Sequence, residues 1–177
     1  MSKLKLATIW LDGCSGCHMS FLDMDERIMT VIEQADLVYS PLVDVKQYPE
    51  HVDIALVEGA VSNEDDLEKL HKVRAQTRTL VALGDCAVTG NVPSMRNVCG
   101  RTAVLETAYV ENTTICKVMP KEGVPGLLKY VRPVHEVVPV DVFVPGCPPS
   151  ADTIFYVLQE LLAGKVPQLK EASRFGA

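Results

Sequence analysis

The stretch Leu4-Lys5-Leu6-Ala7-Thr8-Ile9-Trp10-Leu11-Asp12-Gly13-Cys14-Ser15-Gly16-Cys17-His18 runs from a mostly apolar segment into a loop of glycines and thiols. Leu4 to Trp10 has the length and content of a buried strand, and Asp12-Gly13 ends it. Beyond the loop, Ser20 with Asp23 three residues on resembles a capping box. Phe21, Met24, Ile28, Val31, Ile32 and Ala35 then recur at helical spacing. Strand, loop and helix make the unit from which an α/β domain is wound.

The rest of the chain repeats that unit. Leu37 to Ser40 reads as a weak second strand, and Asp53 to Val57 as a third, closed by Glu58-Gly59-Ala60. Ser62 and Asp65 give a capping signal ahead of Leu67, Leu70 and Val73 on one helix face. Thr79 to Leu83 is a fourth strand, ended by Gly84-Asp85, and Val137 to Val144 a fifth, stopped by Pro145-Gly146. Ser150 caps a last helix carrying Ile154, Phe155, Val157, Leu158, Leu161 and Leu162, with Gly164 suited to the position just past its end. Residues 91–134, with four prolines and three glycines, read as long connections holding one strand at most. The expectation is an α/β fold with a doubly wound, mainly parallel sheet. No repeat, low-complexity tract or linker divides it, so residues 1–177 read as one domain.

Composition narrows the function. The chain of 177 residues is 47% hydrophobic and 23% charged, as a soluble globular protein is, and carries a net charge of -6. That balance, 6% aromatic residues and the lack of a basic cluster argue against nucleic-acid binding. The N-terminal apolar run is too short for a signal-peptide core, and no stretch is long enough for a membrane span. A cytoplasmic location is expected, where six cysteines point to metal binding or redox chemistry rather than disulfides.

Four of the six share a placement. Cys14 and Cys17 follow the first strand, Cys86 the fourth and Cys147 the last, all at the carboxyl edge of a parallel sheet, where doubly wound folds bind ligands. Four thiolates at one point suit an iron–sulfur cluster or zinc. Structural zinc usually takes two short-spaced knuckles, and there is a single C-x-x-C here; ligands dispersed over several loops, with Pro148 after Cys147, fit a [4Fe–4S] cluster better. A thioredoxin-like pair at Cys14 and Cys17 leaves Cys86 and Cys147 unexplained. Cys99 and Cys116 are expected to be buried as small hydrophobes. No P-loop or dinucleotide fingerprint occurs, and thiols occupy the place of a flavodoxin's phosphate loop, which disfavours FMN on this chain.

Four blocks in order, Trp10-Leu11-Asp12-Gly13-Cys14-Ser15-Gly16-Cys17-His18-Met19-Ser20, Val57-Glu58-Gly59-Ala60, Gly84-Asp85-Cys86-Ala87 and Pro145-Gly146-Cys147-Pro148-Pro149, resemble the small subunit of [NiFe] hydrogenases. The resemblance spans residues 4–163. It implies a flavodoxin-like fold and one proximal [4Fe–4S] cluster on Cys14, Cys17, Cys86 and Cys147. Subunits of respiratory complex I are similar around the last block but carry an adjacent Cys-Cys pair, so the C-x-x-C favours hydrogenase. The block after Cys86 departs from the family's usual Gly-Gly pair and reads Gly90-Asn91. The run from Cys17 to Glu26 looks most like the short subunit of cytoplasmic, bidirectional, NAD(P)-coupled hydrogenases, and neither an export signal nor a two-cluster extension is evident.

That likeness implies partners: a large subunit with the nickel–iron centre, and diaphorase subunits with iron–sulfur clusters, FMN and NAD(P). Nickel in this class takes two C-x-x-C elements of the large subunit, and the one here is already assigned. The chain is then expected to carry electrons while dihydrogen is activated elsewhere, with no catalytic residue of its own. His18, beside the thiols, is a candidate donor to a cluster sulfide, the alternative being simple loop exposure. Glu58 ends its strand on the same rim, as a cap on nearby amides or as an ion-pair or proton-relay contact at the large-subunit interface. A quinone-linked complex-I-like subunit and a zinc-stabilised scaffold are the competing readings.

Overall fold

The computed structural model describes residues 3–170. Its strands are β1 (Leu4–Trp10), β2 (Ala35–Tyr39), β3 (Val52–Glu58), β4 (Val61–Asn63), β5 (Thr77–Leu83), β6 (Leu127–Arg132) and β7 (Val142–Val144). Its α-helices are α1 (Gly16–Leu22), α2 (Arg27–Gln34), α3 (Glu64–Ala75), α4 (Asp85–Thr89), α5 (Arg96–Cys99), α6 (Arg101–Glu106) and α7 (Ala151–Leu162). Five strands pair in parallel in the order β2-β1-β3-β5-β7, the flavodoxin-like winding in which the chain reverses direction between β1 and β3. β4 and β6 form a separate antiparallel ribbon.

The sheet is buried on both faces, and strand alternation sorts its residues between two cores. Leu6, Ile54, Leu56, Val81, Leu83 and Val144 face Phe21, Val31, Ile154, Val157 and Leu158 of α1, α2 and α7. Ala7, Ile9, Ala55, Val57, Leu80 and Ala82 face Leu70, Val73 and Ala87 of α3 and α4. Leu56, Leu80 and Leu158 are almost wholly excluded from solvent, each contributing about 1.5–3 kcal/mol of apolar burial. The same alternation sends two polar side chains into the first core. Thr8 follows the parity of Leu6, and Glu58 that of Ile54 and Leu56, so both lie under α1.

Several boundaries differ from the sequence reading. The helical pattern over 21–35 is two helices, because Asp25 takes a positive φ of 49° between them. The first begins at Gly16, inside the cysteine loop, and Ser20 is no cap: its hydroxyl donates to the carbonyl of Pro149 at 2.5 Å. Ala35 leaves α2 directly in extended geometry and opens β2. Asn63, not Ser62, caps α3 by accepting from the Asp66 amide, while the Ser62 amide bonds the Asp66 carboxylate. The last strand is confined to Val142–Val144; Val134–Glu136 forms a 3₁₀ turn, and Pro139 has no amide to pair. The 91–134 region is more ordered than expected. Arg96 donates to the carbonyls of Leu128 and Ser62, and Asn97 exchanges two bonds with Val131, docking α5 on the ribbon.

Candidate metal centre

The carboxyl edge gathers the four cysteines named from the sequence. Cys14 precedes α1, Cys17 and Cys86 lie in the first turns of α1 and α4, and Cys147 sits between β7 and α7. Cys17 is buried, Cys86 half-buried, and Cys14 and Cys147 exposed. Burial pushes the Cys17 thiol far above its ordinary value, and Glu58, Cys86, Cys14 and Cys147 push it further. Cys86 rises to about 11, first through burial and then through Cys147, Cys14, Glu58 and Asp12. The four thiols thus lie within one another's field. Cys99 and Cys116 act on neither and are exposed, not the buried small hydrophobes expected.

Backbone contacts lock the loops pairwise. Leu11 donates to the Glu58 carbonyl at 2.9 Å, and Asp12 and Ala60 exchange two bonds across the β1 and β3 exits. Gly59, at φ 93°, is required there, since a Cβ would stand 2.8 Å from the Leu11 carbonyl carbon. Asp85 donates its amide to the Gly146 carbonyl at 2.8 Å, and its carboxylate accepts from the Gly146 amide at 2.7 Å, joining the Cys86 and Cys147 loops. At Gly84, φ 82°, a Cβ would fall on the Cys17 sulfur. The space beside that thiol exists because position 84 has no side chain.

The donor set, four thiols and no carboxylate or imidazole among them, suits an iron–sulfur cluster. Among the described residues no group of three or more His, Cys, Asp or Glu side chains is already drawn together as the ligands of a single metal ion.

Glu58 and His18 form a buried unit beneath these loops. Ser15, left-handed at φ 67°, makes no side-chain cap for α1. The Glu58 carboxylate supplies it from β3, accepting the His18 amide at 2.9 Å and facing the His18 Nδ1. His18 Nε2 lies 3.0 Å from the Thr8 hydroxyl, which donates to Ser40 at 2.7 Å. Thr8 therefore accepts from Nε2–H. With both ring nitrogens engaged, His18 is neither a loop residue nor a donor to a sulfide; it is 5% exposed on α1. Glu58, 2% exposed, is the cap that one reading of it anticipated. Sequence reasoning missed Thr8 and Ser40, although a lone threonine in an apolar strand is a signal. It also missed Asn91, whose side-chain amide lies 3.5 Å from the Cys147 sulfur.

A family model for the NADH ubiquinone oxidoreductase 20 Kd subunit matches residues 14–161. The NAD-reducing hydrogenase HoxS subunit delta of Cupriavidus necator is 45% identical over 92% of this chain and 80% of its own length. A subunit of the F420-non-reducing hydrogenase of Methanothermobacter thermautotrophicus is 38% identical over 97% of this chain, but only 57% of its own length is covered. The crystal structure of an NAD+-reducing [NiFe]-hydrogenase in the H2-reduced state superposes with a TM-score of 0.93 at 39% identity, covering 98% of this chain and 99% of that one. A [NiFeSe] hydrogenase from Desulfovibrio vulgaris Hildenborough, at 16% identity and a TM-score of 0.60, shares the fold over 92% of this chain and 60% of its own. The chain belongs to the NADH ubiquinone oxidoreductase 20 Kd subunit family and stands among its hydrogenase subunits.

Proposed function

We propose that this chain, as one domain, is the electron-transfer small subunit of a cytoplasmic, NAD(P)-linked [NiFe] hydrogenase, and that Cys14, Cys17, Cys86 and Cys147 hold its single proximal [4Fe–4S] cluster. The observation that carries the reading is the meeting of four thiols, from loops far apart in sequence, at the switch-point edge of the sheet. When bound, such a cluster supplies one-electron chemistry. The protein's own residues hold it in place: the Asp85–Gly146 and Ser20–Pro149 bonds fix the ligand loops. Gly84 leaves room for the sulfur of Cys17, and Glu58 anchors the start of the helix that bears it. Metal binding must displace protons that burial and mutual repulsion hold on Cys17 and Cys86.

The dihydrogen-activating nickel–iron centre belongs on a large subunit, and electrons continue to iron–sulfur and flavin diaphorase subunits that carry FMN and NAD(P). Apolar exposure along the rim supports a covering partner: Trp10 is 45% exposed, Met19 58%, Val92 62% and Met95 69%. Glu58 lies just beneath that surface, at the interface with the large subunit. No helix among the described residues is long and apolar enough to cross a membrane. The quinone-linked reading is not favoured, given a 45% identical hydrogenase subunit.

The test is anaerobic purification followed by iron, sulfide and zinc analysis, with electron paramagnetic resonance of the reduced protein. Iron and sulfide in the ratio of a [4Fe–4S] cluster, with nickel in the copurifying complex, are expected. Zinc in place of iron, or hydrogen uptake by the chain alone, would overturn the reading.

A further inference from the structure

Asn91 follows α4, the short helix that begins with the Cys86 turn, yet its side chain reaches the other end of the thiol group. Its Nδ2 lies 3.5 Å from the Cys147 sulfur, a hydrogen-bonding distance for so large an acceptor. The backbone that aims it is held from both sides. Gly90, left-handed at φ 83°, donates to the Cys86 carbonyl at 3.0 Å and closes α4. The Asn91 carbonyl accepts from the Ser94 amide at 3.2 Å and the Ser94 hydroxyl at 2.7 Å, at the start of the 3₁₀ turn Val92–Met95. Between these anchors Asn91 has φ 31° and ψ -128°, a conformation that costs a non-glycine residue of order 1–3 kcal/mol. Glycine would sit there without that cost. An amide side chain kept at an unfavourable backbone position, pointed at a sulfur, has a use that offsets the strain.

We propose that Asn91 is a positioning residue that donates a hydrogen bond to the Cys147 sulfur and so raises the reduction potential of the cluster. This rests on the cluster reading above. Reduction adds negative charge that is shared with the sulfurs, and an N–H dipole aimed at one of them stabilises the reduced form more than the oxidised form. Cys147 is an exposed thiol, so the donor also competes with water for that sulfur.

The experiment is a potentiometric titration of the full-length chain, loaded anaerobically with ferrous iron and sulfide and followed by paramagnetic resonance. It compares wild type with Asn91→Gly, Asn91→Ala and Asn91→Asp, each with iron content and urea stability measured. Asn91→Gly and Asn91→Ala are expected to lower the potential by roughly a tenfold change in the reduction equilibrium, ~59 mV for one electron. Asn91→Asp, which keeps the size and replaces the donor by a carboxylate, should lower it further. Asn91→Gly should be at least as stable as wild type, so its potential falls without any structural loss. Equal potentials in loaded variants would overturn the proposal and leave the cluster reading standing. Loss of iron from all three variants would mark an assembly role and overturn it too. Failure of wild type itself to take up iron and sulfide would bring down the underlying reading instead.

Discussion

At the amino edge of the parallel sheet, polar groups are matched within the chain. Arg74 donates to Asp141 at 2.7 Å and to the carbonyls of Thr77, Arg78 and Pro139. Asp141 also accepts the Leu80 amide at 2.7 Å, and Asp53 accepts the Lys5 amide at 2.8 Å while pairing with Arg78. Tyr48 and Thr77 join hydroxyls at 2.6 Å. At the carboxyl edge the same sheet delivers four thiols, of which Cys17 and Cys86 hold their protons more tightly, first through burial and then through neighbouring thiols and the Glu58 carboxylate. One edge is electrostatically complete; the other gathers groups that repel once ionised. The contrast separates a stabilising end from an end built to receive a positively charged metal group.

The sharpest break in that contrast is all or none. Cys86→Ser is expected to abolish or convert the cluster, because it removes one of the four thiolate donors that would hold it, while Cys99→Ser and Cys116→Ser keep full iron and sulfide. Loss of iron on changing Cys99 with retention on changing Cys86 would invert the ligand assignment.

A matched pair of glycines sharpens it further. Gly84 has φ 82° and ψ 161°, and Gly100, between α5 and α6, has φ 82° and ψ 152°. Alanine at Gly100 meets no atom within 4 Å, whereas at Gly84 its Cβ overlaps the Cys17 sulfur. Gly100→Ala should therefore cost only the backbone strain, about 1–3 kcal/mol in urea unfolding, and leave iron uptake unchanged. Gly84→Ala should cost more and lose iron as well. Equal losses in the two variants would mean that the room at Gly84 serves no thiol.

Glu58 tests the boundary between the two kinds of chemistry. Glu58→Ala leaves the His18 amide and Nδ1 without their buried partner, at a cost on the order of 3 kcal/mol by urea unfolding. Glu58→Gln keeps a carbonyl oxygen for the amide and should cost about 1 kcal/mol. If assembly with the large subunit and turnover are unchanged in Glu58→Gln, Glu58 is a cap and nothing more.

The carboxyl edge was more legible in sequence than the segment that surrounds it. Apolar runs ending in glycine mark β1, β3 and β5 because a parallel strand buried on both faces needs continuous apolar residues. The thiols just past β1, β5 and β7 could then be placed on one rim without knowing any distance. What stayed hidden depends on partners remote in sequence. β4 is three residues long and is defined by pairing with β6 across some sixty intervening residues. The break at Asp25 lies inside an unbroken helical period, and Ser20 is diverted from capping by Pro149. Glu58 as the cap of α1, and Asn91 on Cys147, are contacts between elements that no local spacing encodes.

The smallest effect comes from the complete edge and is a matter of pH. Tyr48 is buried with its hydroxyl on Thr77, and burial pushes its ionisation up to about 12 from an ordinary value of 10. Below pH 10 the hydroxyl is protonated in the folded and unfolded chain alike, and its bond to Thr77 is worth about 1 kcal/mol. Between about pH 10 and 12 the unfolded chain releases this proton while the folded chain keeps it. The folded state then binds more protons, so stability falls as pH rises through that window. Tyr48→Phe removes the titrating group along with the hydrogen bond, and Thr77 keeps its own bond to the Val73 carbonyl at 2.6 Å. The variant should be less stable than wild type by about 1 kcal/mol near pH 8, and the gap should shrink or reverse near pH 11, with iron content the same at both. Urea midpoints of the two proteins at the two pH values measure it, the difference cancelling the other titrating groups. A gap that stays constant with pH would mean that Tyr48 ionises alike in the folded and unfolded chain and contributes to that edge through its hydrogen bond alone.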